Sequence, residues 1–311
     1  MRIFVTGVSG WIGSAVVPEL IEAGHQVIGL ARSDASAVAI TATGATVHRG
    51  TLDDLDGLRT AAAASDGVIH LAFQHDIAFS GGFQAAADAD RRAVETFGDA
   101  LAGSDRPFII ASGTLGLALG RLATEEDGHD PIGDVHGMGG GPRTRQATAE
   151  LVLSLAHRGV RSSILRLPPT VHGDGDHGFM ASLVGIARTK GVSGYIGDGA
   201  NRWPAVHRFD AAHLCRLALE NAPAGSTLHA VADEGVPVRD IAGVIGRHLD
   251  LPVVSISAED AGEHFTWLGG FIGLDSPASS ALTRELLSWQ PTHPGLIEDL
   301  EQGHYFNNPP S

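Results

Sequence analysis

Three glycines, Gly7, Gly10 and Gly13, are spaced G-x-x-G-x-x-G between a short apolar run, Ile3-Phe4-Val5, and an amphipathic stretch over 12–23. Glycine at these places removes the side chains that would hold a phosphate away from the backbone. The start of the following helix adds unpaired N–H groups and the positive end of its dipole. A strand, a tight turn and a helix in that order suit the pyrophosphate of a nicotinamide dinucleotide. The second apolar run, Gln26-Val27-Ile28-Gly29-Leu30, closes in Ala31-Arg32-Ser33-Asp34. In a dinucleotide fold this strand end meets the adenosine ribose, where an acid accepts from the 2′-hydroxyl and an arginine accommodates a 2′-phosphate. Ala31 followed by Arg32 and Ser33 favours NADP, while Asp34 keeps NAD as the alternative. Further along, His172-Gly173-Asp174-Gly175-Asp176-His177 gathers imidazoles and carboxylates in one stretch. No additional cysteine or histidine spacing completes a tetrahedral set, so no metal is expected.

The elements that must carry these residues follow from the alternation of short apolar runs with amphipathic segments. After the first two strands, a third strand is expected over 45–50 and a helix over 53–64, with Leu52-Asp53 at their junction. Val68-Ile69-His70-Leu71-Ala72-Phe73 has the pattern of a buried strand, a long helix is expected over 84–102, and Phe108-Ile109-Ile110-Ala111 forms the next strand before Ser112-Gly113-Thr114. The pattern weakens over 115–142, where the run Gly137-Met138-Gly139-Gly140-Gly141 reads as a mobile loop beside a ligand or on the surface. A helix over 143–157 and a strand over 163–167 follow. Strands alternating with helices, without an internal repeat, predict an α/β Rossmann fold: a doubly wound parallel sheet with right-handed crossovers. Residues 1–170 read as the dinucleotide-binding domain, with later segments returning to it. Residues 171–311 read mainly as a smaller, interleaved substrate lobe.

The bulk properties exclude several classes. The chain has 311 residues, 43% hydrophobic and 18% charged, which suits a folded domain with a substantial core. A formal charge of −15 opposes non-specific binding to nucleic acid or anionic membrane, since both need a cationic face. No apolar stretch is long enough to span a bilayer, and Met1 leads directly into the first strand, so a cytoplasmic location is expected. The one cysteine, Cys215, excludes an internal disulfide and reads as a core residue. The only lysine is Lys190.

Taken together, Thr6-Gly7-Val8-Ser9-Gly10-Trp11-Ile12-Gly13, Leu52-Asp53, His70-Leu71-Ala72 and the segment from Leu165 through Pro168-Pro169 to Asp176 resemble the extended short-chain dehydrogenase/reductase family. Within it the likeness is to the NAD(P)-dependent sugar-nucleotide epimerase/dehydratase group. Val206-His207-Arg208-Phe209-Asp210 and Leu287-Ser288-Trp289-Gln290-Pro291 agree, so the resemblance runs over nearly the whole chain. It implies that Gly7, Ser9, Gly10, Trp11 and Ile12 hold the pyrophosphate, Leu52 and Asp53 the adenine, and Leu71, Ala72 and Phe73 the ribose. It also implies that Leu167, Pro168 and Pro169 meet the nicotinamide, and that Trp203 and His207 close over substrate. A homodimer is the family's common state.

The family's acid/base pair, Tyr-x-x-x-Lys, is where this chain departs. Tyrosine and lysine one helical turn apart share a face, and the ammonium lowers the phenol pKa so that it can pass a proton. Counting back from Ala149-Glu150 puts Gln146 in the lysine's place and Pro142 in the tyrosine's. Gln146 could still hydrogen-bond ribose hydroxyls, but it cannot lower a phenol pKa. The substrate-binding hydroxyl expected after the central strand falls at Gly113, which leaves Ser112 or Thr114. His136 and His172 are candidate proton carriers, and Arg143 or Arg145 could stabilise an oxyanion. The expected function is an NAD(P)-dependent oxidoreductase of the extended short-chain type, moving hydride to or from a carbonyl or alcohol carbon of a small molecule. The alternatives are a sugar-nucleotide epimerase/dehydratase with retained NAD, and a non-catalytic dinucleotide-binding regulator.

Overall fold

A computed structural model of the chain describes residues 1–128 and 141–307. The first half runs β1 (Arg2–Thr6), α1 (Gly13–Glu22), β2 (Gln26–Ala31), α2 (Asp34–Ala42), β3 (Thr46–Arg49), α3 (Leu55–Ala63) and β4 (Gly67–His70). A short turn of helix, α4 (His75–Ile77), precedes the long α5 (Phe83–Leu101), then β5 (Pro107–Gly113), α6 (Gly141–Ser154) and β6 (Arg161–Leu167). The second half adds β7 (Thr170–His172), α7 (Phe179–Lys190), β8 (Ser193–Ile196), β9 (Arg202–His207), α8 (Arg208–Asn221) and β10 (Ser226–His229). It closes with β11 (Asp233–Pro237), α9 (Val238–Leu249), β12 (Val253–Ile256), α10 (Ala261–Phe265), α11 (Ala281–Leu287) and α12 (Leu296–Glu301).

Seven strands form one parallel sheet in the order β10-β6-β5-β4-β1-β2-β3. The period of two along β1 decides how it is covered. Ile3 and Val5 face α1 and α8, whereas Phe4 faces the layer that includes Leu58 of α3, Phe97 of α5 and Val152 of α6. These residues are fully buried or nearly so, and a buried Val, Ile or Phe side chain contributes about 1.5–3 kcal/mol. Cys215 of α8 lies in the same core, and burial pushes its thiol up to about 12, so it is unreactive filling. β10 follows residue 171 in sequence yet pairs with β6, extending the main sheet. The smaller lobe holds the β11-β9-β7 sheet and the β12-β8 pair around Met180, Trp203, Ile241, Phe265 and Leu296.

Most strands and helices lie within a few residues of the sequence expectation. Helix α2 is not evident from its weak apolar pattern; it starts on Ser33, whose hydroxyl accepts from the Ser36 N–H in a capping box. The run over 68–73 does not remain strand throughout. It leaves the sheet after His70, because the Ala72 N–H donates to Thr6 Oγ1 (3.2 Å), so Leu71, Ala72 and Phe73 cross above the strand ends. Among the described residues no helix is long and apolar enough to cross a membrane.

Candidate active site

The sheet reverses direction of winding at β1, which has β2 on one side and β4 on the other, and ligands of such sheets bind in the crevice beyond those carboxyl ends. The glycine turn sits at that point. Gly7 has φ +76°, and a Cβ there would lie 2.7 Å from the Ala72 nitrogen and 2.8 Å from the Leu71 carbonyl carbon. The turn closes with Gly10 N–H donating to the Gly7 carbonyl (3.0 Å) and Ser14 N–H to the Gly10 carbonyl (2.9 Å). Gly13 packs against the Gly7 carbonyl with no room for a side chain, so α1 begins directly over the turn. Ser9 is exposed at the tip. Trp11 bridges outward, donating its indole N–H to the Val171 carbonyl (2.7 Å) beneath the Arg208 guanidinium, 4.0 Å from the ring centre.

A cavity of about 280 Å³ opens beside this turn. Its wall brings together Trp11 and Ile12, Leu71 to Phe73, and Leu167, Pro168 and Pro169, residues expected to meet the pyrophosphate, ribose and nicotinamide. Ser112 at the end of β5 and Arg145 on α6 complete it with polar groups, and His75 and Asp176 add titratable ones. The mostly apolar wall of the cavity, with Leu71, Leu167, Pro168 and Pro169, suits a nicotinamide ring, and the glycine turn beside it suits the pyrophosphate. A larger cavity, about 580 Å³, lies along α7 between the turn after β7 and His264, Trp267 and Tyr305. It shares Asp176 with the first but contains none of the cofactor motifs, so the smaller cavity is the candidate reaction site.

The adenosine end is more open. Leu52 is buried, Asp53 is exposed with Arg92 at 3.4 Å, and Ser33 serves as the cap of α2. Arg32 projects from the end of β2 with its side chain 69% exposed and Asp76 at 3.3 Å. Asp34 is held by Arg49 at 2.7 Å.

The two hydroxyls that the sequence left open separate. Ser112 borders the cavity, whereas Thr114 is fully buried, its N–H donating to the Leu167 carbonyl (3.0 Å). Gln146 turns from the cavity and donates to the Gly128 carbonyl (3.0 Å), a consequence of its position one residue, about 100° around the helix, from Arg145. His136 lies outside the described residues. His172 is placed differently from the expectation for a proton carrier: it is fully buried and borders neither cavity, with Nδ1 2.9 Å from Asp299 Oδ2. Trp203 and His207 do not close over either cavity. Trp203 belongs to the lobe core, donating to the Leu274 carbonyl (3.1 Å), because its strand β9 is sandwiched between β7 and β11. His207 is stacked on His293 (4.7 Å between centroids), and burial, with the imidazoles of His172 and His293 nearby, lowers its pKa to about 4.

Asp176, noted in the sequence only as part of a cluster of imidazoles and carboxylates, borders the cavity, and His75 and Asp90 were not singled out by sequence. The Asp176 carboxyl accepts from the Gly178 N–H (2.6 Å) and the Tyr305 hydroxyl (2.9 Å), yet burial still raises its pKa above the usual carboxylate range. His75 is held below the ordinary imidazole value, first by desolvation and then by the Arg145 charge. Asp90, from α5, receives Arg145 Nη1 at 2.9 Å and His70 Nε2 at 3.2 Å. Its signal was present: an acid on the same helical face as Ala86, Ala93 and Phe97 must be paired or functional. Burial alone would raise its pKa, but the Arg145 charge and the His70 contact outweigh this and hold it low.

The sequence profile of the NAD dependent epimerase/dehydratase family matches residues 3–231. An uncharacterized protein of Schizosaccharomyces pombe is 50% identical over 98% of this chain and 100% of its own length. One from Saccharomyces cerevisiae is 44% identical over 99% of this chain and all of its own. A dTDP-glucose 4,6-dehydratase of Streptomyces venezuelae, solved with NAD and TYD bound, superposes with TM-score 0.76 at 18% identity, covering 98% of this chain and 96% of that one, and thus shares the fold.

Proposed function

Because the chain belongs to the NAD dependent epimerase/dehydratase family, we propose that it is an NADP-linked oxidoreductase acting on a carbonyl or alcohol carbon of a small molecule. The observation that carries this reading is the convergence of the cofactor-motif residues with Ser112 and Arg145 on one cavity of about 280 Å³. A bound nicotinamide dinucleotide would supply or accept the hydride. In the reducing direction the carbonyl carbon gains the hydride, the π pair moves onto oxygen, and a proton from water completes the alcohol. Ser112 donates its O–H to that oxygen and relays the proton, and Leu167, Pro168 and Pro169 form the apolar wall that keeps bulk water away. Trp11, pinned to Val171 and Arg208, ties the turn that holds the pyrophosphate to the lobe that shapes the pocket.

The preference for NADP rests on Arg32, exposed at the end of β2, and on Ala31 standing where an acid would select NAD. The test is direct. Purified protein is titrated with NADPH and with NADH by fluorescence, and then mixed with NADPH and 4-nitrobenzaldehyde while the reduced-nicotinamide absorbance is followed. Binding of NADPH with oxidation in the presence of the aldehyde is expected. Binding of neither reduced cofactor would end the proposal, and binding of both without turnover on any carbonyl would favour the non-catalytic regulator. NAD copurifying at one per chain would favour the epimerase reading.

A further inference from the structure

A chain of buried polar groups links the cofactor turn to the helix that lacks the family's usual pair. The Ala72 N–H donates to Thr6 Oγ1 (3.2 Å), and Thr6 Oγ1 lies 2.7 Å from His70 Nδ1. His70 Nε2 lies 3.2 Å from Asp90 Oδ1, and Asp90 Oδ2 accepts from Arg145 Nη1 (2.9 Å). The two ring nitrogens of His70 thus join Thr6 to Asp90. Thr6, His70 and Asp90 are almost completely buried, with side-chain exposures of 2% for His70 and 4% for Asp90. His70 and Arg145 both border the cavity, and Arg145 is the more open of the two, its side chain 24% exposed.

The guanidinium is held from three directions. Besides Asp90, its Nη2 donates to the Ala111 carbonyl (3.1 Å), and its plane lies over the Phe73 ring, 4.4 Å from the centroid. A flexible surface arginine samples many rotamers; this one is locked, with one N–H of each terminal nitrogen committed, and it lines the cavity wall. Ala111 is the residue before Ser112, and both border the cavity together with Arg145.

We infer that Arg145 is a catalytic residue that, with Ser112, binds and polarises the substrate oxygen, and that Asp90 and His70 are positioning residues which lock its guanidinium for that task. The inference rests on the oxidoreductase reading above. As hydride reaches the carbon and charge develops on oxygen, the preset donors meet it without reorganising, while the proton still comes through Ser112. Asp90 also neutralises the arginine when no substrate is present, which makes a buried cation tolerable.

The rival account is a structural staple joining α5 to α6. The experiment compares wild type with R145Q, R145A and D90N. It measures NADPH affinity, turnover of 4-nitrobenzaldehyde, thermal midpoint, and binding of benzoate to the NADP-saturated protein as a carboxylate stand-in for the developing oxyanion. R145Q should lower kcat by about a hundredfold and weaken benzoate by about tenfold or more. Its NADPH affinity should stay within about threefold of wild type. D90N should lower kcat by about tenfold with the same separation from cofactor affinity. R145A should regain part of its turnover with low-millimolar guanidinium, which a staple would not. Benzoate affinity and kcat unchanged in R145Q, no rescue of R145A, or no carboxylate binding by wild type would overturn the inference. A wild type that binds no reduced cofactor would instead end the oxidoreductase reading on which it rests. The benzoate measurement decides the matter even if the aldehyde proves a poor substrate.

Discussion

Gly13→Ala sets two physical effects against each other. Helix propensity alone favours the substitution, because alanine is about 1 kcal/mol better than glycine inside a helix and position 13 opens α1. Packing opposes it. An added Cβ would fall inside the van der Waals shell of the Gly7 carbonyl oxygen and lie 2.8 Å from both the Gly7 carbonyl carbon and Val8 Cα. These are backbone atoms of the turn, so no side chain can rotate aside. Relieving the overlap requires the turn and the start of α1 to separate, and overpacking of this kind costs about 1–3 kcal/mol or more. Packing therefore wins, with a net loss of about 1–2 kcal/mol and a fall in melting temperature of about 2–4 °C for a domain of this size. The functional loss should be larger. Displacing the helix start misaligns charge-assisted hydrogen bonds worth about 1.5–3 kcal/mol each, so NADPH affinity should fall about ten- to a hundredfold. Differential scanning fluorimetry and fluorescence titration read the two effects separately. Gly262→Ala, which meets nothing within 4 Å, is the control and should leave cofactor affinity unchanged. A Gly13→Ala protein as stable as wild type that binds NADPH within about twofold would refute the reasoning that this glycine exists for backbone approach.

Arg32→Ala should weaken NADPH by about tenfold or more while leaving NADH within about twofold, since its exposed contact with Asp76 contributes little to stability; equal losses for both cofactors would remove Arg32 from the 2′-phosphate. Asp176 has a folded-state pKa above its unfolded value, so the folded state binds the extra proton and stability declines as pH rises from about 4 through the raised folded pKa. Asp176→Asn should abolish that decline in urea melts taken across the acid range, and a slope identical to wild type would contradict the burial assignment. His207 behaves in the opposite sense, with a folded pKa of about 4, so protonation in the unfolded state costs stability as pH falls from about 6.5 toward 4. His207→Asn keeps a side-chain acceptor for the Phe209 N–H and should flatten this acid-side loss in urea melts.

The glycine turn, the strands that flank it and the helical layers were legible in the sequence because each is decided locally. Gly7 needs positive φ, Ile3 and Val5 share one face of β1 while Phe4 takes the other, and the proline pair ends β6 wherever the rest of the chain goes. The absence of a lysine at position 146 is likewise a fact of sequence, since the chain's single lysine is Lys190. The active cavity is of another kind. Asp90 lies 20 residues from His70 and 55 from Arg145, and only the packing of α5 and α6 beside β4 and β5 brings the three within hydrogen-bonding reach. Contacts between distant elements likewise turned Ser112 toward the cavity, closed Thr114 into the interior, and buried His172 and Trp203, which the sequence suggests as a proton carrier and, through the family resemblance, a substrate contact. Periodicity and backbone stereochemistry act over a few residues, so the sequence determines them by itself. Which polar side chains share one desolvated pocket depends on contacts between distant elements, and that was decided only by the tertiary structure.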